Sequence, residues 1–597
     1  MDVQDAISPE QAGTLHGLFV ERVRRTPEKI AYQYFQNNTW LSLTWRDVNK
    51  EVARWQSALS RLNLQCGDRV AIMLRNCPQW MMFDQAAMSL GLVVVPLYTV
   101  DRPDNLAYIV NNANAKVLLF ENAEQWQALC TVCDQLQNVV RFISIDEVRD
   151  KNEARLVAMR DFLPDTATLQ AAPSVAMSEL ASIIYTSGTT GKPKGVMLSH
   201  ANMLTNSFDV LQTFVVRGDD LYLSFLPLSH TFERTCGYYL ALVVGATVAF
   251  ARSIPLLSED LQTIRPSIMV SVPRIYERVY GAIRAKLEEG SPLKRKLFKL
   301  AVDTGWARFE HEQGRGAWQP SFLLWPILQK LVAQKILDKL GGRLRVAISG
   351  GAALAPDVSR VFVGLGLPVL QGFGLTETSP IVTGNSLENN FPDSVGKPIR
   401  NVQVKLGEAN ALLVKGPNVM MGYWNNEQAT RDMIDADGWL NTGDTARISD
   451  TGHVYITGRI KEIIVMSNGE KIPPSDMEIA ILRDPLFDQV MVFGEAHPYL
   501  VAIAVLNPEV WIQFANETGV RPDMPEALTD SRVQGKVLKR IALNLREFPG
   551  YAKVNRVLLL QEPWSIENGL FTPTLKVKRA KVVERYAAEI KELYEGH

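Results

Sequence analysis

The sequence predicts an α/β protein with a large N-terminal domain of mixed sheets covered by helices and a smaller C-terminal α/β domain. Short Val- and Ile-rich runs alternate with helical periodicity: DRVAIML at 68–74, a helix from Trp80 to Leu90, and LVVVPLY at 92–98. This alternation favours a parallel or mixed sheet with helices on its faces. The 597 residues exceed the roughly 250–300 at which one core stops growing, so several structural units are expected.

A second α/β unit carries glycine-rich turns. It begins with the strand RLRVAISG (343–350), continues with GAALAPDVSRVFVGLG (351–366), predicted to be helical, and ends in the strand LPVLQGFG (367–374). Open α/β sheets bind ligands beyond the carboxyl ends of their strands. The glycine-rich turns after these strands are therefore candidate ligand contacts.

The texture of the sequence changes near residue 400 and again near residue 460. Residues 401–460 contain short strands and turns, such as LLVKGP and SDTGHVYITGR, which predict a small antiparallel β unit. Helical and strand patterns return after Arg459. We therefore place the N-terminal domain at residues 1–460 and the C-terminal domain at residues 461–597.

A helical insert is predicted at about residues 281–342. It combines clustered basic residues with a run of apolar ones: Lys294, Arg295, Lys296 and Lys299, then Phe322, Leu323, Leu324, Trp325, Ile327 and Leu328. The interpretation we favour is a set of amphipathic helices that cover the core. The alternative is contact with a membrane surface, the source of an apolar substrate.

Composition and charge exclude several classes of protein. With 47% hydrophobic and 21% charged residues the chain is typical of globular proteins, and its formal net charge of −1 gives no global attraction to nucleic acid. The N-terminus lacks the apolar core of a signal peptide, and the longest apolar run, from Tyr238 to Ala251, is too short to span a membrane. We expect no nucleic-acid partner and no membrane span.

The cysteines point to a reducing compartment. There are five, an odd and sparse set that does not suit a disulfide framework, so a cytoplasmic location is expected. Cys130 and Cys133 form a CxxC within 123–139, a segment predicted to be one helix, and no second pair completes a zinc site. We interpret the CxxC as helix packing.

The segment after the predicted strand ASIIY (181–185) has the composition of a phosphate-binding loop. Glycines let the backbone approach a polyphosphate, hydroxyls donate to phosphate oxygens, and lysine adds positive charge. The spacing differs from a Walker A loop, because two residues separate the first two glycines and Pro193 follows the first lysine. The candidate phosphate contacts are Thr186, Ser187, Gly188, Thr189, Thr190, Gly191 and Lys194.

This stretch resembles the adenylate-forming (AMP-binding) superfamily, which includes acyl-CoA synthetases and the adenylation domains of peptide synthetases. Residues 371–378, QGFGLTET, match a second motif of that superfamily. The resemblance implies that Glu377, with Thr186, lies near the Mg²⁺ bound to ATP, and that the Phe373 ring lies beside the adenine. Phe373 stands where many members have Tyr, so stacking remains but a phenol hydrogen bond is lost. The resemblance adds these nucleotide contacts: Gln371, Gly372, Phe373, Gly374 and Thr376.

Two further segments match the nucleotide site of the superfamily. The resemblance implies that Asp444 of NTGD and Arg459 of TGR hold the ribose hydroxyls, a role that suits a carboxylate able to accept from two neighbouring hydroxyls. The small residues Gly351, Ala352 and Ala353 look like the loop on the adenine side. One departure is Asn410–Ala411, where members usually carry Gly–Glu before the following strand.

The acyl site is assigned by the same resemblance. His230 of PLSHTFER (227–234) matches the position that lines the acyl pocket near the reacting carboxylate. The LSHTFER form and the long insert are similar to the long-chain fatty acyl-CoA synthetases. This group implies a fatty acid as the acyl substrate.

The C-terminal domain resembles the mobile domain of the superfamily. Lys461 stands at the hinge position, and 467–472, SNGEKI, matches a loop that moves in for thioester formation. Residues 572–579, TPTLKVKR, resemble the segment with the catalytic lysine, which we assign to Lys576 rather than Lys578 from the spacing to Arg579.

The predicted reaction has two halves: a fatty carboxylate and ATP give acyl-AMP and pyrophosphate, and coenzyme A then takes the acyl group. The alternatives are a fatty acyl-AMP ligase or acyl-carrier-protein synthetase and a non-catalytic acyl-CoA-binding relative. A homodimer and a peripheral contact at the inner face of a membrane are left open.

Overall fold

The computed structural model describes residues 5–170, 173–186, 192–462, 464–467, 470–472, 474–546, 548, 552–572 and 577–595, with the backbone alone at 461 and 471. The described residues form two large sheets, a small antiparallel sheet and a C-terminal α/β unit. The predicted α/β fold class is confirmed.

The first large sheet has nine strands, and its six central strands are parallel. Antiparallel strands close both edges; at one edge Asn37 and Asn38, both with positive φ, make the two-residue turn of a hairpin. In spatial order its strands are Lys397–Pro398, Ile381–Gly384, Val369–Gly374, Val346–Ser349, Ile268–Ser271, Leu221–Ser224, Thr247–Phe250, Ile30–Gln36 and Thr39–Thr44.

The second large sheet has eight strands and holds the predicted phosphate loop. The six strands from Leu180–Thr186 to Leu156–Ala158 are parallel to one another. Lys194–Ser199, the strand after the loop, runs antiparallel to Leu180–Thr186, the strand before it. In spatial order the strands are Gly422–Tyr423, Lys194–Ser199, Leu180–Thr186, Val93–Pro96, Arg69–Met73, Ala115–Phe120, Arg141–Ser144 and Leu156–Ala158.

The main core lies between the two large sheets. Val70 and Ile72 face this core, while Ala71 and Met73 of the same strand face a separate apolar layer on the other side of the sheet. Burial on both faces explains the continuous apolar runs that predicted these strands. Inside the core, Arg234 and Asp84 form a fully buried ion pair at 2.5 Å. Replacing one partner by a neutral residue would lower the free energy of unfolding by about 3–5 kcal/mol, because the other charge would stay buried without a partner.

Helices cover both large sheets and fill the space between them. None of the helices in the described ranges is long and apolar enough to cross a bilayer. The helices of seven residues or more are Leu15–Arg25, Trp45–Ser60, Pro78–Ser89, Pro103–Asn112, Ala123–Cys130, His200–Asp209, Leu257–Ile264, Pro273–Glu288, Pro292–Glu312, Pro356–Gly364, Glu427–Met433, Pro474–Ile481, Pro508–Thr518, Ser531–Asn544, Arg579–Arg585 and Ala587–Tyr594.

A four-stranded antiparallel sheet follows the large sheets in the chain. Its strands are Gln403–Leu406, Ala411–Lys415, Leu440–Ile448 and Val454–Arg459. The C-terminal unit has its own core around a sheet of Phe487–Phe493, Leu500–Leu506 and Val554–Leu560, and a short pair of strands, Ile464–Val465 and Lys471–Ile472. The small β unit therefore lies directly before the hinge candidate Lys461.

The basic and apolar insert is helical. Pro273–Glu288 and Pro292–Glu312 precede a run of short helical turns between Pro320 and Leu340. Ala301, Val302 and Trp325 form an apolar cluster with helix Pro356–Gly364, and a Cβ on Gly305 would lie 1.8 Å from the Gly364 carbonyl oxygen. The absence of a side chain at Gly305 thus permits this close helix contact.

Two predicted helices are longer than the structure allows. Residues 351–355 are not helical: Gly351 has a φ of +82°, and the helix begins at Pro356, because proline fits only the first turn. The helix around the CxxC ends at Cys130 and is followed by a 3₁₀ turn, Cys133–Gln135. There the Thr131 hydroxyl donates to the Ala128 carbonyl at 2.7 Å, a local bond that competes with helix continuation.

Candidate active site

The two ends of the phosphate-loop candidate meet at one cross-strand pair. Strand Leu180–Thr186 runs antiparallel to Lys194–Ser199, with Thr186 opposite Lys194, and the Thr186 hydroxyl donates to the Lys194 carbonyl at 3.4 Å. Ser187, Gly188, Thr189, Thr190 and Gly191 lie outside the described residues. The loop therefore begins and ends at the edge of the eight-stranded sheet, at the carboxyl end of Leu180–Thr186.

Tyr423 connects this loop to Glu377. Strand Gly422–Tyr423 pairs with Lys194–Ser199, which places the Tyr423 ring 4.7 Å from the Lys194 ammonium nitrogen. The Tyr423 hydroxyl donates to Glu377 Oε1 at 2.7 Å. Burial and the Glu377 charge raise the pKa of Tyr423, so the hydroxyl stays protonated as a donor. Lys192, by contrast, lies over Tyr108 at 5.0 Å.

The backbone behind Glu377 is held by the segment before Tyr423. The Met420 amide donates to the Glu377 carbonyl at 2.9 Å, and the Asn418 side-chain amide donates to the Thr378 and Ile381 carbonyls, both at 3.0 Å. Sequence reasoning missed Tyr423 and Asn418. The signal was present in GPNVMMGYW (416–424), where turn residues follow a strand and precede an aromatic pair.

The turn around Phe373 leaves no room for a side chain at Gly374 and little at Gly372. A Cβ on Gly374 would lie 1.9 Å from the Pro380 carbonyl oxygen, and one on Gly372 would lie 3.0 Å from that of Thr383. The Phe373 ring is partly buried against the main core and the small β unit. Thr376 lies within reach of the Thr231 hydroxyl, which is 3.4 Å away.

Gln371 joins the two segments predicted to lie beside adenine. It is buried, its Oε1 accepts from the Leu354 amide at 3.0 Å, and its Nε2 donates to the Pro392 carbonyl. Both ends of the amide thus bond within the protein and fix the loop after strand Val346–Ser349. Gly351, Ala352 and Ala353 of that loop are exposed.

The segment with His230 packs against the same loop. The Phe232 amide donates to His230 Nδ1 at 3.2 Å, so the histidine caps the short helical turn that begins at Thr231. The Phe232 ring lies so close to Gly350 that a Cβ there would be 2.8 Å from it. His230, the loop at Gly351 and the turn at Thr376 are therefore neighbours.

The predicted ribose contacts are brought together by strand register. Asp444 and Arg459 are directly opposite each other in the antiparallel pair Leu440–Ile448 and Val454–Arg459. Arg459 Nε lies 3.0 Å from Asp444 Oδ1, with the Asp444 side chain 4% exposed and that of Arg459 39% exposed. The carboxylate is thus oriented by the guanidinium group.

The C-terminal candidates lie at the limits of the described structure. Lys461 belongs to the 3₁₀ turn Ile460–Glu462, but its side chain lies outside the description, as does the whole of Lys576. Phe571 pairs with Val577 across that gap, and its ring lies 6.0 Å from the guanidinium of Arg274 on helix Pro273–Glu288.

The sequence model described as AMP-binding enzyme matches residues 19–424. The chain belongs to the AMP-binding enzyme family. A second model, described as AMP-binding enzyme C-terminal domain, matches residues 461–597 of this AMP-binding enzyme. The superfamily resemblance predicted from the motifs is therefore confirmed.

Relatives of this AMP-binding enzyme span nearly its whole length. The long-chain-fatty-acid–CoA ligase FadD15 of Mycobacterium bovis is 30% identical over 593 residues, 96% of each chain. The peroxisomal long chain acyl-CoA synthetase 6 of Arabidopsis thaliana is 31% identical, covering 90% of this chain and 79% of its own. The chloroplastic long-chain-fatty-acid–[acyl-carrier-protein] ligase AEE15 of Arabidopsis thaliana is 28% identical, covering 93% and 83%.

Solved structures share the fold. The anthranilate CoA ligase AuaEII in complex with anthranoyl-AMP matches with a TM-score of 0.74 at 19% identity, covering 99% of this chain and all of its own. The fatty acyl CoA synthetase of Mycobacterium tuberculosis matches with a TM-score of 0.63 at 20% identity, covering 97% and 99%.

Proposed function

We propose that this AMP-binding enzyme joins a long-chain fatty acid to coenzyme A, using ATP and releasing AMP and pyrophosphate. The observation that carries the proposal is the junction at Tyr423, where the Lys194 ammonium group lies over the face of the phenol ring and the Glu377 carboxylate accepts from its hydroxyl. A polyphosphate with its bound metal needs both signs of charge side by side. The names of the full-length relatives support the fatty acid and coenzyme A as substrates.

In the first half-reaction, a carboxylate oxygen of the fatty acid attacks the α-phosphorus of ATP and the bond to pyrophosphate breaks. Lys194 and Lys576 supply positive charge to the phosphate oxygens, and the loop residues from Thr186 to Gly191 supply hydroxyl and amide donors. His230 lies beside the reacting carboxylate. These roles place the acyl group next to the loop at Gly351.

The oxygen donors at the junction fit Mg²⁺. Mg²⁺ is usually bound by one or two carboxylates together with substrate phosphates and water, and Glu377 offers a partly exposed carboxylate. Tyr423 links this carboxylate to Lys194, the residue opposite Thr186 in the strand pair. When bound, the metal balances the charge of the phosphates. The protein's contribution is orientation, because the Tyr423 hydroxyl holds the Glu377 carboxylate and the Met420 amide holds the Glu377 backbone carbonyl.

The nucleoside part of ATP is assigned to the turns on the nine-stranded sheet and to the small β unit. Asp444, held by Arg459, accepts from the ribose hydroxyls. The adenine lies between the exposed loop and the Phe373 turn, whose glycines allow the following strand to pack closely against it. The contacts on this side are Gly351, Ala352, Ala353, Gln371, Gly372, Phe373, Gly374 and Thr376.

In the second half-reaction, the thiol of coenzyme A attacks the acyl carbon and the bond to AMP breaks. The thiol needs the space that Lys576 occupies in the first half, so the C-terminal domain, residues 461–597, turns about Lys461 between the two. Residues 1–460, with the helical insert 281–342 and the β unit 401–460, form the domain that keeps the nucleotide. A homodimer, a cytoplasmic location and membrane contact remain predictions.

The fatty-acid assignment predicts a preference for acids of about twelve carbons or more, since each buried CH₂ contributes ~0.8 kcal/mol. ATP- and coenzyme A-dependent thioester formation is measured with acetate, octanoate, palmitate and oleate. Palmitate and oleate are expected to give the highest kcat/KM. Acetate turning over as well as palmitate would contradict the assignment.

One relative is named as an acyl-carrier-protein ligase, so a carrier protein is the alternative to coenzyme A as acceptor of the acyl group. The same assay with phosphopantetheinylated acyl carrier protein in place of coenzyme A separates the two. Acylation of the carrier without acylation of coenzyme A would favour the acyl-carrier-protein ligase.

Tyr423→Phe is expected to raise the Mg²⁺ concentration for half-maximal activity by ~10-fold or more, because partners that orient a metal ligand typically contribute 10–100-fold. The change removes the hydroxyl that donates to Glu377 but keeps the ring under Lys194. A Mg²⁺ titration at saturating ATP measures the shift. Tyr455→Phe, at a surface cation–π contact with Arg447, is the matched control. Identical Mg²⁺ curves for both variants would exclude a positioning role for Tyr423.

A further inference from the structure

The outer face of the helical insert carries a stripe of exposed apolar side chains. Leu323, Ile327 and Leu331 are 73%, 58% and 51% exposed, and their spacing of four places them on one side of the helical run. Leu324 beside them, and Leu293 and Leu300 on helix Pro292–Glu312, are exposed as well. Of the twenty large hydrophobics exposed among the described residues, seven lie between residues 293 and 331. We use the name apolar stripe for Leu323, Ile327 and Leu331.

The apolar stripe is not the core-facing side of its segment. Other residues of the segment face the core: Trp325, Leu328 and Ala333 are buried against Ala301 and Val302. The guanidinium of Arg308 covers the Trp325 ring at 5.1 Å. The segment is thus apolar on two sides, and only one of them has a partner within the described chain.

The insert that carries the apolar stripe is rich in positive charge. Residues 292–337 contain eight Lys or Arg and three Asp or Glu. Each of the three acids forms an ion pair with an arginine: Asp303 with Arg360, Glu310 with Arg315 and Glu312 with Arg308. Lys294, Arg295, Lys296, Lys299, Lys330 and Lys335 are all exposed. At the end of the segment, contact with the Lys286 side chain lowers the pKa of Lys339, because two ammonium groups so close repel each other. The local surface is therefore basic although the whole chain has a net charge of −1.

We infer that this face of the insert docks on an anionic lipid bilayer. The apolar stripe enters the boundary between headgroups and acyl chains, and the exposed lysines of the same insert contact the anionic headgroups. Lysine suits this position because its apolar stem lies along the lipid while its ammonium group reaches the headgroups. The inference does not depend on the proposed enzymatic function, because it concerns binding alone.

A second copy of the chain fits this surface less well than a bilayer does. A two-fold contact would place the same patch on both sides, so the six exposed cations of one copy would lie near the six of the other, whereas the three acids of the insert are already paired with arginines of their own chain. An anionic bilayer supplies the missing charge. The charge pattern therefore favours lipid.

The test is co-sedimentation of the full chain with two kinds of vesicle, one of phosphatidylcholine alone and one of phosphatidylglycerol and phosphatidylcholine in equal amounts. Wild type is expected to bind the anionic vesicles, and the binding should weaken as salt is added. The triple variant Leu323→Ser, Ile327→Ser, Leu331→Ser is expected to bind at least about tenfold more weakly. The variant Lys294→Gln, Arg295→Gln, Lys296→Gln, Lys299→Gln is expected to lose most of the preference for anionic vesicles.

The matched control is Ile512→Ser, Met524→Ser, Leu543→Ser, three apolar residues of the C-terminal domain that are 52%, 43% and 65% exposed. It should bind vesicles as wild type does. Equal binding by the two triple variants, or no binding of wild type to anionic vesicles at low salt, would overturn the inference. Sedimentation velocity without lipid completes the test: a wild-type dimer that the Leu323, Ile327, Leu331 variant converts to a monomer would assign the surface to a second copy instead.

Discussion

Replacing Lys576 by alanine is expected to slow acyl-adenylate formation by ~10²–10³-fold, the usual cost of losing one donor to developing oxyanion charge. Thioester formation from a pre-formed acyl adenylate and coenzyme A should stay near the wild-type rate. The ammonium group would contact the α-phosphate only in the first half-reaction, and the C-terminal domain would then carry it away. Single-turnover kinetics on each half-reaction measures the two effects separately.

Lys578→Ala is the control for this assignment. Lys578 precedes helix Arg579–Arg585, and its amide donates to the Leu570 carbonyl at 2.8 Å, so its backbone is fixed by a bond that the substitution keeps. The variant should change neither half-reaction greatly. A larger loss with Lys578→Ala than with Lys576→Ala would show that Lys578 is the catalytic lysine. Equal losses in both half-reactions for Lys576→Ala would contradict domain alternation.

Glu377→Gln is expected to lower activity with Mg·ATP by ~10²-fold or more, because a neutral amide cannot balance the metal charge. The fold should remain, since the backbone bonds from Met420 and Asn418 do not involve the side chain. Steady-state rates are measured across Mg²⁺ and ATP concentrations, and added ATP alone should not restore them.

Glu388→Gln is the matched control for the charge change. Glu388 is exposed and lies between strands Ile381–Gly384 and Lys397–Pro398 of the nine-stranded sheet. A Glu377→Gln variant with wild-type rates at ordinary Mg²⁺ would remove Glu377 from the metal site. Comparison with Tyr423→Phe separates metal binding by Glu377 from the orientation of Glu377 by Tyr423. If Glu377→Gln is impaired and Tyr423→Phe is not, the carboxylate acts without help from the phenol.

The sequence predicted the parts of the fold that depend on local pattern. Strands such as Arg69–Met73 are apolar on both faces, and this signal survives without any knowledge of their neighbours. The pairing of Ile30–Gln36 with Thr247–Phe250 could not be predicted, because the two strands are about two hundred residues apart and no local feature specifies such a contact. The end of one helix at Cys130 and the start of another at Pro356 depend on single residues. Hydrophobic periodicity is judged over many residues and does not detect them.

The candidate site shows the same division. Motifs supplied Lys194, Glu377, Asp444 and Arg459 because each belongs to a compact run of residues. Tyr423 was missed because its importance arises only from tertiary structure: two residues of strand pair with Lys194–Ser199 and thereby direct a phenol at Glu377, 46 residues away in sequence. Asp444 and Arg459 were predicted together by motif, but their ion pair follows from strand register.

The most direct test of the account follows the carboxylate oxygen. The chain is incubated with palmitate labelled with oxygen-18 in its carboxyl group, ATP, Mg²⁺ and coenzyme A, and the AMP and pyrophosphate are analysed by mass spectrometry. If the acid attacks the α-phosphorus and the thiol then attacks the acyl carbon, one labelled oxygen per turnover remains on AMP and none enters pyrophosphate. Unlabelled AMP, or label in phosphate or pyrophosphate, would contradict formation of an acyl adenylate.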